Sequence, residues 1–301
     1  MIFLCLGICN SLGWSRLPAC MMMDTDAAKC RQNSWNWLTE ERISCIMSLA
    51  VSDCEKRKGM GFMIRLILVA LALLLYFIVT LPLYLVLLLI GTKRPDIRAK
   101  VGQKSVKWGF KVILAMAGVK VRVKGLENVP KEAVLFVGNH RSFFDIPVIY
   151  STVPLQTGFV SKMQVKKVPF LSWWMTCINC LFLDRQDVKQ AMQMILAGIE
   201  HIKKGTSVCI MPEGTRNYED ELLPFKEGSF KMAEKTGCPI VPIAMWKNDD
   251  IFEAQFPRIK AKTVTVYYGE PIRIETLSKD EKKRVGVLVR SRIEEMLTEI
   301  R

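Results

Sequence analysis

The sequence predicts an α/β fold in which a mixed, mainly parallel sheet is flanked by helices and preceded by an N-terminal membrane helix or helix hairpin. Three observations lead to this fold class. Seven short β-rich runs lie between residues 119 and 272. Helical patterns separate several of them, as expected when parallel strands are joined by crossover helices. One uncharged, apolar stretch occupies residues 66–90, which is typical of a membrane-embedded segment.

The sequence falls into three parts, at residues 1–59, 60–92 and 93–301. The first has no sustained helical or strand period, and it holds six of the ten cysteines. We expect it to be an atypical extension that is disordered or not native, with translation beginning at Met60 or Met63. The alternative is a genuine extension that is poorly ordered. The second part is the predicted membrane segment, and the third is the α/β domain.

The apolar stretch at residues 66–90 is long enough to cross a membrane. As a helix it would be about 38 Å long, more than the roughly 30 Å of a hydrocarbon core. Pro82 removes a backbone donor, so a hairpin with a bend near residues 80–82 is the alternative to a single helix. Basic residues follow it at Lys93, Arg94, Arg98 and Lys100. Positive charge favours the cytoplasmic side, so we expect the α/β domain on the cytoplasmic face of the cell membrane.

The net charge of +14 indicates an anionic partner. Nucleic acid and an anionic membrane are the two obvious candidates. The chain lacks an interleaved basic and aromatic patch, and 50% of its residues are hydrophobic with a mean hydropathy of +0.19. We therefore predict a membrane partner and no nucleic acid.

The predicted elements of the domain follow one another as strands and helices. A basic amphipathic helix at residues 98–120 either lies along the membrane surface or packs as an ordinary core helix. Two further helices end at Gly205 and Gly237, where glycine is typical of a helix C-terminus. A C-terminal helix begins at Ser278, with Glu281 completing a capping box. Four cysteines of this domain are expected to be buried free thiols: Cys177, Cys180, Cys209 and Cys238.

The stretch Asn-His-Arg-Ser-Phe-Phe-Asp follows a buried strand and contains one of only two histidines. If Asp145 lies in the first turn of the next helix, it can fold back onto His140. A carboxylate on one imidazole nitrogen fixes the tautomer and leaves the other nitrogen as a base. The alternative is a histidine that only caps a helix. No G-x-S-x-G elbow is present, so the base would take its proton from a substrate hydroxyl rather than from an enzyme serine.

Three other strand ends carry groups that suit a phosphate. A polar loop follows the fifth strand, with Arg216 offering a planar fork and glycine allowing close backbone approach. Arg185 follows the fourth strand, and Lys162 ends the third. The alternatives are a structural turn for the loop and a surface pair between Asp184 and Arg185. The loop consists of Glu213, Gly214, Thr215 and Arg216.

In combination, these motifs resemble the glycerolipid acyltransferase superfamily, specifically bacterial 1-acylglycerol-3-phosphate acyltransferases. The resemblance runs from about Met63 to the C-terminus. The block N-H-x4-D is matched by Asn139, His140 and Asp145. The block F-[IL]-D-R is matched at residues 182–185, E-G-T-R at residues 213–216, and the V-P-[IV] strand at residues 241–243.

The resemblance implies acyl transfer from acyl-CoA or acyl carrier protein to the sn-2 hydroxyl of lysophosphatidic acid, giving phosphatidic acid. It implies that His140 is the general base and that Asp145 orients it. Neither a cofactor nor a metal is implied, and no acyl-enzyme is needed. The implied substrate-binding residues are Arg185, Glu213, Gly214, Thr215, Arg216, Lys162 and Asn139.

Two kinds of alternative stay open at the level of sequence. Within the superfamily, the acceptor could be glycerol-3-phosphate or another lysophospholipid. Outside it, the chain could be a non-enzymatic membrane phospholipid-binding protein, although the intact His140 and Asp145 pair argues against this.

Overall fold

The computed structural model describes the backbone of residues 40–301 and the side chains of residues 63–301. Residues 1–39 lie outside the described residues, so the prediction made for them stays a prediction. The chain divides into two compact units, Met1–Glu55 and Lys56–Arg301. The described part of the first unit is helical backbone. The second unit contains the sheet and every residue of the candidate site.

Helices and strands alternate along the described part of the chain as the sequence predicts. The helices are α1 Glu40–Gly91, α2 Pro95–Ala117, α3 Asp145–Thr152, α4 Leu171–Cys177, α5 Val188–Lys203, α6 Lys231–Thr236, α7 Lys279–Lys283 and α8 Val285–Thr298. The strands are β1 Lys120–Lys124, β2 Leu135–Gly138, β3 Thr157–Lys162, β4 Leu181–Leu183, β5 Ser207–Ile210, β6 Ile240–Met245 and β7 Thr263–Tyr268. Each of the seven predicted β-rich runs overlaps one of these strands.

The seven strands form one sheet in the order β1-β7-β6-β2-β5-β3-β4. Neighbouring strands are parallel except for the antiparallel pair β6 and β7. The mixed, mainly parallel sheet is therefore confirmed. Because β2, β3, β4, β5 and β6 all run in the same direction, their carboxyl ends share one edge, which is where open α/β sheets bind ligands.

Both faces of the sheet are covered, so its central strands are continuous apolar runs. In β2 every residue is buried. Successive side chains point to opposite faces: Phe136 packs in the layer that includes α1 to α4, and Leu135 packs in the layer that includes α5, α6 and α8. These two apolar layers hold the sheet rigid behind its carboxyl edge.

The apolar segment is a single helix that continues through Pro82. Of the two arrangements that the sequence allows, the structure has the unbroken helix rather than the hairpin. Within the described residues, Met63–Gly91 is the one segment long and apolar enough to cross a membrane, by length and composition only. One face of this segment packs on the domain, where Val69 and Leu87 are buried and Tyr84 stacks on Trp173 at 5.6 Å. The opposite face exposes a row of large apolar side chains.

Helix α2 packs as a core helix along its apolar side. Val106 and Ile113 are buried, and the Gln103 amide donates to the Leu155 carbonyl oxygen at 2.7 Å. Of the two predicted alternatives, these contacts match a helix packed in the core, although Trp108 remains 56% exposed.

The C-terminal region differs from the sequence prediction in one respect. The capping box at Ser278 is confirmed, with the Glu281 amide donating to its hydroxyl at 3.3 Å. The predicted single helix is instead two helices, because the backbone leaves the helical conformation at Arg284.

The four cysteines of the domain are free as predicted, three of them buried and Cys180 half-buried. Burial raises the pKa of the Cys177 thiol to about 11, although Arg98 opposes the shift.

Candidate active site

The end of β2 is fixed tightly before the histidine loop begins. A Cβ on Gly138 would lie 3.1 Å from the Met211 sulfur, so a larger residue here would press on the Met211 side chain. The Asn139 side chain then pairs with the end of β6: its Nδ2 donates to the Met245 carbonyl oxygen at 2.8 Å, and its Oδ1 accepts from the Met245 amide at 2.9 Å. Asn139 is 1% exposed. Its amide is thus engaged with backbone, and its predicted contact with substrate stays a prediction.

His140 and Asp145 lie together as the sequence predicts. Asp145 is in the first turn of α3, and its Oδ2 is 2.9 Å from His140 Nδ1. Because a carboxylate only accepts, Nδ1 carries the proton in this bond and Nε2 of the neutral ring is an acceptor. The His140 side chain keeps 23% of its surface exposed, whereas that of Asp145 keeps 1%. The nitrogen available to a substrate is therefore Nε2.

Asp145 receives four hydrogen bonds, which hold its carboxylate in place. Its Oδ2 also accepts from the backbone amides of Arg141 at 2.7 Å and Ser142 at 2.8 Å. Its Oδ1 accepts from Asn248 Nδ2 at 2.9 Å. The carboxylate can stabilise a positive imidazolium without moving.

Glu213 holds the backbone of the histidine. Its Oε1 accepts from the His140 amide at 2.8 Å, and its Oε2 accepts from the Leu223 amide at 3.1 Å. The residue is 5% exposed. Burial raises the pKa of Glu213, against the opposing effect of these bonds. Both oxygens of the Glu213 carboxylate are thus engaged with backbone amides, and its implied contact with substrate stays a prediction.

Basic side chains from three strand ends meet around Gly214. This glycine has a φ of 78°, a conformation that L side chains rarely adopt. A Cβ there would lie 3.2 Å from Lys226 Nζ and 3.6 Å from Arg185 Cζ. Burial lowers the pKa of Lys162, and the charges of Arg185 and Arg216 add to the effect. We call Lys162, Arg185, Arg216 and Lys226 the basic cluster.

Arg216 lies between an aromatic ring and a carboxylate. Its guanidinium carbon is 3.8 Å from the centre of the Phe143 ring, and its Nη1 is 3.7 Å from Glu253 Oε1. Glu253 also accepts from the Ser142 hydroxyl at 2.8 Å and the Phe143 amide at 2.5 Å. Burial raises the pKa of Glu253. The most buried arginine of the predicted phosphate site is thus anchored to the histidine loop.

Several residues of this site lie outside the motifs found in the sequence. Arg141 is 6% exposed and bonds Asp249 at 3.0 Å and the Tyr218 carbonyl oxygen at 2.8 Å. Asn248, Asp249 and Glu253 follow β6 directly. The signal that could have found them is the one that identified the other loops, a polar run after a buried strand.

The structure brings most predicted site residues to one edge of the sheet. Thr215 is exposed there, beside Gly214. Among the residues that the structure describes, no group of three or more His, Cys, Asp or Glu side chains is placed to hold a metal ion. The prediction that the chemistry needs no metal stays a prediction.

Comparisons with known proteins agree with this arrangement. A family model described as acyltransferase matches residues 120–246. The 1-acyl-sn-glycerol-3-phosphate acyltransferase of Saccharomyces cerevisiae is 32% identical over 194 residues, which are 64% of each chain. A protein of Mycoplasma pneumoniae described as a probable 1-acyl-sn-glycerol-3-phosphate acyltransferase is 31% identical over 189 residues, or 59% of this chain and 70% of that one.

A solved structure extends the likeness to the fold. The crystal structure of the 1-acyl-sn-glycerophosphate acyltransferase from Thermotoga maritima superposes with a TM-score of 0.63 and 25% sequence identity. The match covers 81% of this chain and 97% of that chain. With the histidine and aspartate in contact at the carboxyl edge of the same fold, the chain belongs to the 1-acyl-sn-glycerol-3-phosphate acyltransferase family.

Proposed function

We propose that the protein transfers an acyl chain from a thioester donor to the sn-2 hydroxyl of 1-acylglycerol-3-phosphate, giving phosphatidic acid. The observation that carries this proposal is the contact between His140 and Asp145 beside the basic cluster. The pair His140 and Asp145 suits proton transfer from an alcohol, and the basic cluster suits a phosphate. Membership of the acyltransferase family supports the same reaction.

In the proposed mechanism, Nε2 of His140 accepts the proton of the sn-2 hydroxyl as the oxygen attacks the thioester carbonyl carbon. A C–O bond forms, and the carbonyl becomes a tetrahedral oxyanion. When the C–S bond breaks, the imidazolium returns its proton to the leaving thiolate. Asp145 stabilises the imidazolium between these steps through the bond at Nδ1. The acyl group passes directly between substrates, so no acyl-enzyme forms.

The basic cluster would bind the acceptor phosphate. Arg216 has a planar fork that matches phosphate oxygens, and Arg185 and Lys162 add charge at the same strand edge. The side chains of the basic cluster are exposed or half-buried, so a phosphate can reach them from solvent or from a lipid surface.

We propose that the outer face of α1 inserts into the membrane from which the acceptor comes. The packed positions Val69 and Leu87 are 18 residues apart, about 27 Å along the helix. Because this length lies against the domain, the exposed apolar face is better suited to dipping into one leaflet than to an isolated span. Basic residues after the helix favour the cytoplasmic face. The acyl donor is acyl-CoA or acyl carrier protein.

A direct test is acyl transfer by the detergent-solubilised full chain. Lysophosphatidic acid, glycerol-3-phosphate and a neutral-headgroup lysophospholipid are offered in parallel, each with a C16 thioester of CoA or of acyl carrier protein. Mass spectrometry of the lipid products identifies acceptor and donor together. Phosphatidic acid from lysophosphatidic acid is the expected product. Product from glycerol-3-phosphate alone would change the acceptor, and binding without product would favour a phospholipid-binding protein.

A further inference from the structure

Residues 248–253, which we call the bracket, contact both Asp145 and Arg216 of the basic cluster. They follow β6 and lie beyond residues 120–246, the range that the family model matches. They also lie outside the four sequence motifs. The segment consists of one 3-10 turn, Asn248–Ile251, and the start of a second at Glu253.

Asn248 supports the aspartate of the pair His140 and Asp145, which we call the dyad. It is fully buried, and its Nδ2 donates to Asp145 Oδ1 at 2.9 Å. The other aspartate oxygen already bonds His140 and two backbone amides. Asn248 Oδ1 has no hydrogen-bond partner among the described residues. A buried carbonyl oxygen without a partner is costly, so its presence calls for an explanation. Holding the second oxygen of Asp145 is such an explanation.

Glu253 supports the arginine of the basic cluster. Its side chain is 6% exposed and lies 3.7 Å from Arg216 Nη1. The same carboxylate accepts from the Ser142 hydroxyl and the Phe143 amide, so it ties Arg216 to the loop that carries the dyad. Phe143 then covers the face of the Arg216 guanidinium. The guanidinium is thereby restricted before any phosphate arrives, and restriction in advance improves binding.

We propose that the bracket is a positioning element with two separable tasks: Asn248 holds Asp145 for proton transfer, and Glu253 holds Arg216 for the acceptor phosphate. This inference rests on the proposed function. Asn248 therefore acts on the rate of the chemical step, and Glu253 acts on the affinity for the phosphorylated acceptor. Neither residue touches the substrate.

Steady-state kinetics of the full chain in detergent test the two tasks. For Asn248→Ala we expect kcat to fall about tenfold or more, because a hydrogen bond to a charged group is lost, while KM for lysophosphatidic acid changes less than about twofold.

For Glu253→Gln we expect KM for lysophosphatidic acid to rise about three- to tenfold, with kcat and the donor KM nearly unchanged. The amide keeps the shape and one acceptor oxygen but loses the charge that attracts Arg216.

Matched controls separate positioning from a general loss of stability. Asn128 donates from Nδ2 to the Tyr268 carbonyl oxygen at 3.0 Å, away from the site. Glu132 pairs with Arg273 on the surface. Asn128→Ala and Glu132→Gln should leave all three kinetic constants at wild-type values. If Asn248→Ala does not fold, Asn248→Ser replaces it as the smaller change.

Double variants show whether each residue acts through its partner. If Glu253 acts through Arg216, Glu253→Gln should add little to the acceptor KM of Arg216→Lys, so the two effects should be far from additive. Additive effects would overturn the proposal, as would parallel changes in kcat and both KM values in the single variants. If wild-type protein makes no product, the proposed function fails instead. Wild-type turnover with unchanged bracket variants overturns the bracket alone.

Discussion

His140 and Asp145 lie at the same edge of the sheet as the basic cluster, yet the two regions are built differently. The Asp145 side chain is 1% exposed, and four donors hold its two oxygens. Lys162 and Arg185 are exposed, and each belongs to a group of like charges. The protein itself holds the dyad in place, whereas the basic cluster presents exposed positive charge at Lys162 and Arg185.

The difference follows from what each region is proposed to do. A proton transfer needs donor and acceptor within hydrogen-bond reach in a fixed orientation, so rigid packing favours it. A phosphate carries its own charge and can draw flexible cations onto itself. Arg216 is intermediate between the rigid dyad and the exposed cations, because it is half-buried and is held by Phe143 and Glu253.

The largest effect is expected at the dyad. His140→Ala removes the base, while two bonds of the backbone at this position can persist: its amide donates to the Glu213 carboxylate, and its carbonyl oxygen accepts from the Asn217 amide. Loss of a general base typically costs roughly 10²–10⁴ in rate, and we expect kcat to fall within that range. Turnover at saturating substrate measures it, and an unchanged thermal melting curve shows that the fold is intact. Near-wild-type turnover would remove His140 from the mechanism.

A smaller and different effect is expected at Arg216. Arg216→Lys keeps the charge but loses the fork that can bond two phosphate oxygens. We expect KM for lysophosphatidic acid to rise about tenfold, corresponding to about 1.4 kcal/mol, with the donor KM unchanged. Titration of each substrate at a fixed concentration of the other distinguishes the two. Equal increases in both KM values would place Arg216 outside the acceptor site.

Within the basic cluster, Lys162 should matter less. Its ammonium is a point charge on an exposed side chain, and exposed charges contribute about 1 kcal/mol or less. Lys162→Met should raise the acceptor KM about two- to fivefold at low salt, with a smaller difference at high salt because screening weakens exposed charges. A difference that does not depend on salt would show that Lys162 acts through something other than its charge.

The smallest effect concerns stability and Glu213. Because burial raises the folded-state pKa of Glu213 above its ordinary value of 4.5, the folded protein takes up a proton before the unfolded chain does. The contribution of Glu213 to stability is therefore fully present below the unfolded pKa and is lost as pH rises through the folded pKa. Urea unfolding in detergent should show the difference between wild type and Glu213→Gln shifting in favour of wild type as pH falls from 7 to 5. The opposite trend would contradict the assigned pKa shift.

The same contrast explains how much of the site could be predicted from the sequence. The seven strands and the strand-end motifs could be predicted, because buried parallel strands are continuous apolar runs that end in polar loops. The contact of His140 with Asp145 followed from their spacing across a helix start. A polar run after β6 marks the position of the bracket, but its contacts could not be predicted, because Asn248 and Glu253 reach Asp145 and Arg216 across more than 30 residues of sequence. Such contacts depend on the β6 and β2 pairing, which no local pattern specifies.

The break in the C-terminal helix and the continuity of α1 could not be predicted from the sequence either. The polar face of the C-terminal region predicts one helix, but the structure divides it at Arg284 into α7 and α8. In the same way, Pro82 suggests a hairpin, yet α1 remains unbroken. Packing of Tyr84 on Trp173 holds the helix against the domain beyond the proline.

Binding of lysophosphatidic acid to the inactive His140→Ala protein is the measurement that tests the division of labour most directly. Isothermal titration in detergent, with wild-type protein and Arg216→Lys measured alongside, gives the dissociation constants. If the dyad performs proton transfer and the basic cluster performs binding, His140→Ala should bind within about twofold of wild type, and Arg216→Lys should bind about tenfold more weakly. Loss of binding in His140→Ala as large as its loss of rate would contradict the division.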